Sequence, residues 1–146
     1  MIVPVDKTNI NQVAVIHSET WKDSHSSFCS AYFVALHTPE HQKEYLLRKM
    51  NSGSEFFMLV DDMPIGIVSV TDNLIEDLYV LPEKQHNGYG TELLCFATGK
   101  CKGTPTLWIL ENNDKARAFY LKNGFAATGR VKPGKIDEIE LSLIGG

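Results

Sequence analysis

Between Leu78 and Leu94 the chain passes from an apolar run, Leu78-Tyr79-Val80-Leu81, through a loop holding Gln85, His86, Asn87, Gly88, Tyr89 and Gly90, into Thr91-Glu92-Leu93-Leu94. That succession reads as strand, glycine loop and helix start. The first amides of a helix have no intrahelical acceptor, and with the helix dipole behind them they attract anions. Gly88 and Gly90 remove side chains where a ligand would have to approach the backbone. Phosphate binding is the chemistry such a segment suits, although the same glycines also serve an unliganded strand-to-helix turn. A second segment separates the two readings. It runs Asn113-x-x-Ala116-x-x-Phe119-Tyr120-x-x-x-Gly124-Phe125 and joins a helix start, an aromatic pair and a glycine stop.

Together, Gln85-x-x-Gly88-x-Gly90 and the run from Asn113 to Phe125 resemble the two signatures of the GNAT superfamily of N-acetyltransferases. The resemblance is specific from about Val68 to Phe125, and the N-terminal third matches only in its pattern of elements. It implies one α/β domain of the α+β kind over residues 1–146, with a mixed, mostly antiparallel central sheet and helices on both faces. It also implies acetyl-CoA as cosubstrate and no metal.

Under that resemblance the pyrophosphate lies against the amides from His86 through Asn87, Gly88, Tyr89 and Gly90 to Thr91, with Gln85 shaping or contacting the loop. Pantetheine lies like an added strand between two splayed strands, one carrying Leu78, Tyr79 and Val80, the other carrying Trp108 to Leu110. Asn113, Ala116, Phe119 and Tyr120 complete the cofactor side. Asn113 either contacts the pantetheine arm, caps its helix, or does both. Phe119 reads as packing. A backbone amide near residues 78–80 faces the thioester carbonyl. Tyr120 holds the position of the family's usual general acid, suited to protonate a departing thiolate whose ordinary pKa is about 8.5.

A primary ammonium with an ordinary pKa of about 10.4 must lose a proton before it can attack. Glu76 and Asp77 are the candidate bases. Family members with a strand glutamate as base place it where this chain has Leu74. Glu76, two residues on and so on the same strand face, is expected to substitute through a bound water; its other reading is a solvated carboxylate. Trp21, His25, Trp108 and Tyr79 either line the acceptor pocket or pack the core. The acceptor is expected to be a small-molecule or peptide amine. The alternative is a catalytically inactive acyl-CoA-binding regulatory protein, permitted by Leu74 and opposed by Tyr120.

Other motifs carry less. Gly88-x-Gly90-x-x-Leu93 lacks the third glycine of a dinucleotide fingerprint and does not open an N-terminal βαβ unit. His37-x-x-Glu40-His41 spells a zinc-peptidase pattern, but Pro39 should begin a helix rather than lie inside one, leaving His37 outside it. A surface reading of both histidines follows. Cys29, Cys95 and Cys101 have neither metal spacing nor a disulfide framework, which fits a reducing, cytoplasmic setting.

The elements that must position these residues follow from periodicity. A strand is expected over 2–5, a helix over 9–21, a loop with helical turns over 24–37, and a helix from Pro39 to about Met50, capped by Thr38. Strands over 54–61 and 65–71 form a hairpin, followed by a strand over 74–80, a helix over 91–100, a strand over 106–110 and a helix over 116–123. A last strand pair covers 126–131 and 136–143. The expected order is β-α-α-β-β-β-α-β-α-β-β. With 14 basic against 18 acidic residues, no basic stripe marks a nucleic-acid partner. No apolar run is long enough to span a membrane, so the chain is expected to be soluble and unprocessed. The edge of the final strands could support a homodimer.

Overall fold

Residues 1–26 and 29–144 are described by a computed structural model. Strands β1 (Ile2–Pro4), β2 (Glu55–Asp61), β3 (Met63–Thr71), β4 (Leu74–Val80), β5 (Thr106–Leu110), β6 (Phe125–Lys132) and β7 (Glu138–Leu143) form one sheet ordered β1-β2-β3-β4-β5-β7-β6. Neighbours pair antiparallel except β4 and β5. The sheet is thus the mixed, mostly antiparallel one that the resemblance implied.

The helices are α1 (Ile10–His25), α2 (Ala31–Ala35), α3 (Pro39–Asn51), α4 (Tyr89–Lys100) and α5 (Asp114–Lys122). Thr38 accepts from the His41 amide and Pro39 opens α3, as their types dictate. Helix α1 continues past Trp21 to His25, beyond its expected end, and the short α2 falls where helical turns were expected within the loop, of which residues 27 and 28 lie outside the described residues. Five residues are too few to show a helical period, and α2 rests on its cap, Ser30 accepting from the Phe33 amide, with no buried side chain.

Each face of the sheet has its own core. Phe57, Val68, Val70 and Ile75 pack with Leu93, Leu94 and Ala97 of α4, and with Leu107, Phe125 and Leu141. On the other face Val13, Ile16 and Leu46 of α1 and α3 pack with Phe56, Met58 and Ile67. Full burial of one such side chain contributes roughly 2 kcal/mol.

Two irregularities in β4 matter for function. Between β3 and β4 the register runs Ser69↔Glu76 and then Ile67↔Tyr79, so Asp77 and Leu78 oppose Val68 alone. This is a β-bulge, and Asp77 sits in it with φ +53°, a left-handed conformation that Asp tolerates better than most residues. The extra residue lets the neighbours Glu76 and Asp77 both reach the α1–α3 side. Two residues from the bulge on β3, opposite Val80, Gly66 is required, because a Cβ there would lie 2.5 Å from the Tyr79 carbonyl oxygen. The second irregularity is the β4–β5 ladder, whose register is the single pair Leu74↔Thr106. Beyond it the facing edges of the two strands do not pair.

At the far edge, β6 carries a register shift between Ala127 and Val131, Gly129 at φ +93°, and the charges of Arg130 and Lys132. Bulges and charges of this kind discourage strand pairing between copies. Among the described residues no helix is long and apolar enough to cross a membrane.

Candidate active site

Beyond the end of β4, Pro82–Lys84 form a 3-10 turn, His86 takes φ +67°, and Gly88 takes φ +83° as the residue before α4. A Cβ at Gly88 would meet nothing within 4 Å, so the space above it is open. The first helical bond of α4 is Glu92 N–H to Gly88 O. Among the described residues, no amide from 86 to 91 donates to another protein group. Gln85 braces the loop from below: its Nε2 donates to Val80 O at 3.1 Å, and its Oε1 accepts from Lys115 Nζ at 3.1 Å. Asn87 Nδ2 donates to the carbonyls of Lys84 and Gln85. Successive free amides at a helix N-terminus beside an ammonium form a donor set that fits a diphosphate.

Helix α5 packs beneath this loop. A Cβ at Gly90 would lie 3.4 Å from the Phe119 ring. Asn113 accepts from the Ala116 amide and so caps α5. Tyr120 meets Phe119 and Phe125 edge to face, and burial pushes its hydroxyl well above the ordinary tyrosine pKa, so it holds its proton across the physiological range. Burial also raises Tyr79, with Asp77 and then Tyr120 adding to the shift. Leu78 and Val80 pack towards α4, whereas Tyr79 packs towards α1 and α3. Tyr89 donates to Asp61 Oδ2 at 2.7 Å, tying the start of α4 to the β2–β3 hairpin.

On the other side of β4 lies a cavity of about 200 Å3 lined by His17, Trp21, His37, His41, Gln42, Tyr45, Asp77 and Tyr79. The Asp77 carboxylate, with its side chain 8 % exposed, gathers the walls. It accepts from Tyr45 Oη at 3.1 Å and 3.2 Å and from Ser69 Oγ at 3.1 Å, and His17 Nε2 lies 3.3 Å away. Tyr45 stacks on the His17 ring at 5.2 Å, and Tyr79 meets that ring edge-on at 5.3 Å. Burial, then the Asp77 charge, pushes the Tyr45 hydroxyl above its ordinary pKa. At the mouth, Trp21 is sandwiched between His37 at 3.4 Å and His25 at 4.0 Å. Burial lowers the pKa of both histidines and keeps them neutral at pH 7.

The residues singled out in the sequence separate cleanly. Trp21 and Tyr79 line the cavity, and His25 stacks on Trp21 without lining it. Trp108 lies outside it, opposite Glu140 on β7, with Lys132 Nζ 4.1 Å from its ring centroid. Glu76 is also outside: its Oε1 pairs with Lys49 Nζ at 2.5 Å. The carboxylate brought to the cavity is Asp77, because the bulge turns it towards α1 and α3. Sequence reasoning did not single out His17, Gln42 or Tyr45. One signal was present, since His17 stands one helical turn before Trp21, and Gln42 and Tyr45 share a face of α3. His41 keeps its surface placement, whereas His37 is half-buried against Trp21, and both rim the cavity. Among the described residues no His, Cys, Asp and Glu cluster is arranged to hold a metal.

A family model described as the acetyltransferase (GNAT) domain matches residues 52–127, just over half of the 146-residue chain. Similar solved structures include the PaiA N-acetyltransferase of Thermoplasma acidophilum in complex with coenzyme A, at 21% identity over 96% of both chains and a TM-score of 0.73. A GCN5-related N-acetyltransferase from Rhodopseudomonas palustris aligns at 18% identity over 98% of this chain and 94% of that one, with a TM-score of 0.76. The ribosomal-protein-alanine N-acetyltransferase of Brucella melitensis aligns at 15% identity over 97% and 98%, with a TM-score of 0.69. At these identities the likeness speaks for the fold. No protein with a curated description matches in sequence. The glycine loop leading into α4, the parted strands and the family match converge on one conclusion: the chain belongs to the GNAT acetyltransferase family, whose members transfer acyl groups from coenzyme A thioesters.

Proposed function

We propose that this protein is an N-acetyltransferase that moves the acetyl group of acetyl-CoA onto a primary amine by direct attack in a ternary complex. The observation that carries this reading is the pair of sites flanking β4, an amide cradle at the start of α4 and an aromatic cavity against α1 and α3. In this reading the amides of His86 to Thr91 hold the diphosphate, and the unpaired edges of β4 and β5 take the pantetheine arm through backbone groups. A backbone amide released from the ladder by the bulge faces the thioester carbonyl, where negative charge develops. The Tyr120 hydroxyl, kept protonated by burial, donates to the departing sulfur. The acceptor is a small-molecule or peptide amine that enters from the cavity side.

Calorimetric titration with acetyl-CoA tests the cradle. Wild type is expected to bind in the micromolar range, about −8 kcal/mol. Gly88→Asp places a carboxylate in the open space above the loop and tolerates the left-handed backbone, so it should weaken binding at least tenfold. Gly88→Asn keeps shape without charge and should lose less. Equal binding by all three proteins would remove the cradle from the mechanism.

A second reading, an acyl-CoA-binding regulator without turnover, draws on Leu74 at the family's glutamate position and on the engagement of Glu76 with Lys49. Acetyl-CoA binding with no thiol release across a panel of amines would favour it.

A further inference from the structure

We infer that His17, oriented by Asp77, is the proton acceptor for the incoming amine, and that Gln42 anchors a hydrogen-bond acceptor carried beside that amine. The inference rests on the acetyltransferase reading and assigns the chemistry of its acceptor side.

The argument begins with satisfaction of buried polar groups. His17 is 3% exposed and Gln42 2% exposed, and both side chains line the cavity. Among the described residues, His17 Nδ1 and Gln42 Nε2 are buried without a hydrogen-bond partner. Buried polar atoms are costly to leave unpaired, so two of them in the wall of one cavity point to a ligand that completes them.

The partners each atom needs follow from its neighbours. His17 Nε2 lies against the Asp77 carboxylate, so in the neutral ring Nε2 carries the proton and Nδ1 presents a lone pair. Gln42 Nε2 has N–H groups to donate. The cavity therefore calls for a ligand that donates to His17 and accepts from Gln42. A primary ammonium with a carbonyl oxygen on the adjacent carbon meets both demands. At roughly 30 Å3 per water-sized group, a cavity of about 200 Å3 holds about seven non-hydrogen atoms, so only the amine end of a larger acceptor enters.

Electrostatics agree with a base at this position. The titratable groups around His17 are Asp77 and Tyr79 on β4, Tyr45 and His41 on α3, and His25 and His37 at the mouth. The two tyrosines, His25 and His37 are neutral at pH 7, and the carboxylate in contact with the His17 ring is that of Asp77, 3.3 Å from Nε2. The proton count closes. The ammonium gives one proton to Nδ1, and its freed lone pair forms the C–N bond as the C–S bond breaks. The sulfur takes a proton from Tyr120, and the second amine proton replaces it by way of solvent. Ammonium and thioester thus become amide and thiol, with one proton on His17 for release to water. Asp77 acts through His17 and is a positioning residue.

The test uses the whole protein with histidine labelled in its ring nitrogens, saturated with CoA so that no turnover occurs, and glycinamide as the probe. NMR should show His17 with Nε2 protonated and Nδ1 bare, and glycinamide should shift Nδ1. Ethylamine, which lacks the carbonyl, should bind at least tenfold more weakly, and Gln42→Leu should erase that preference. With acetyl-CoA in place of CoA, glycinamide turnover should fall at least 100-fold in His17→Gln, which keeps a donor for Asp77 but has no base. The dependence of kcat/KM on pH that a titrating base imposes should vanish in that variant, while its CoA affinity stays unchanged. A protonated Nδ1 in the resting protein, no shift with glycinamide, or full turnover by folded His17→Gln overturns the assignment. Failure of acetyl-CoA to bind wild type would defeat the acetyltransferase reading itself, a result the calorimetric titration records separately.

Discussion

The two sides of β4 are built by different means. The cradle before α4 is local: Gln85, Asn87, Gly88 and the free amides lie within a few residues of one another, and their hydrogen bonds stay within the loop and the adjoining end of β4, apart from Lys115. The cavity is assembled from distant parts. His17 and Asp77 are 60 residues apart in the chain, and Tyr45 and Asp77 are 32 apart. One side presents unpaired backbone donors to solvent, where a highly charged ligand can find them. The other withdraws a carboxylate and two buried polar atoms, unpartnered among the described residues, among aromatic rings. Binding of a common cosubstrate and selection of a particular amine make such different demands, and a local motif answers the first while the packed interior answers the second.

The largest expected break in this contrast is Asp77→Ala. It leaves His17, Tyr45 and Ser69 facing a methyl group and puts Ala at a left-handed φ, so denaturant unfolding should show a loss of about 3 kcal/mol or more. The cavity side should loosen while the cradle still binds any acetyl-CoA the folded fraction can hold. Next, Tyr120→Phe should lower kcat about 100-fold, near 2.7 kcal/mol, with acetyl-CoA affinity within about a factor of two. A parallel loss of affinity would make Tyr120 a packing residue.

Gly66→Ala sharpens the comparison from the strand beside Val80, where β4 passes from the bulge to the loop. Its Cβ meets the Tyr79 carbonyl at 2.5 Å and Leu93 Cδ1 at 3.0 Å, so about 2 kcal/mol of stability should be lost as β4 shifts, and both sites should suffer together. The smallest effect concerns acid. Burial depresses the pKa of His25 and His37, so their contribution is present above the unfolded-state value of about 6.5 and is lost as pH falls through the lower folded values. Trp21 emission should therefore change on acidification below about pH 6.5, before global unfolding and without loss of CoA binding. A Trp21 signal that follows global unfolding at every pH would mean that the mouth is no separate unit.

Most of the fold was legible because its signals are short-range. Thr38-Pro39 marks the start of α3, the polar turn after Val60 marks a hairpin, and Gly124 ends α5, each through backbone geometry that those residue types prefer. Helix α2 was legible only as helical turns without bounds, since it has five residues and no buried face. For the cavity, strict alternation along β4 assigns Glu76 and Asp77 to opposite faces and favours Glu76 as the base. The bulge cancels that alternation, and only the pairing of β4 with β3 shows it.

The sequence by itself determined the family, the cosubstrate class it carries, and the loop that leads into α4, because helix starts, turns and glycine positions are written in contiguous residues. The tertiary structure alone decided which carboxylate meets which imidazole. That choice depends on a one-residue register slip in β4 and on how α1 and α3 lie across it, neither of which any local run of residues encodes.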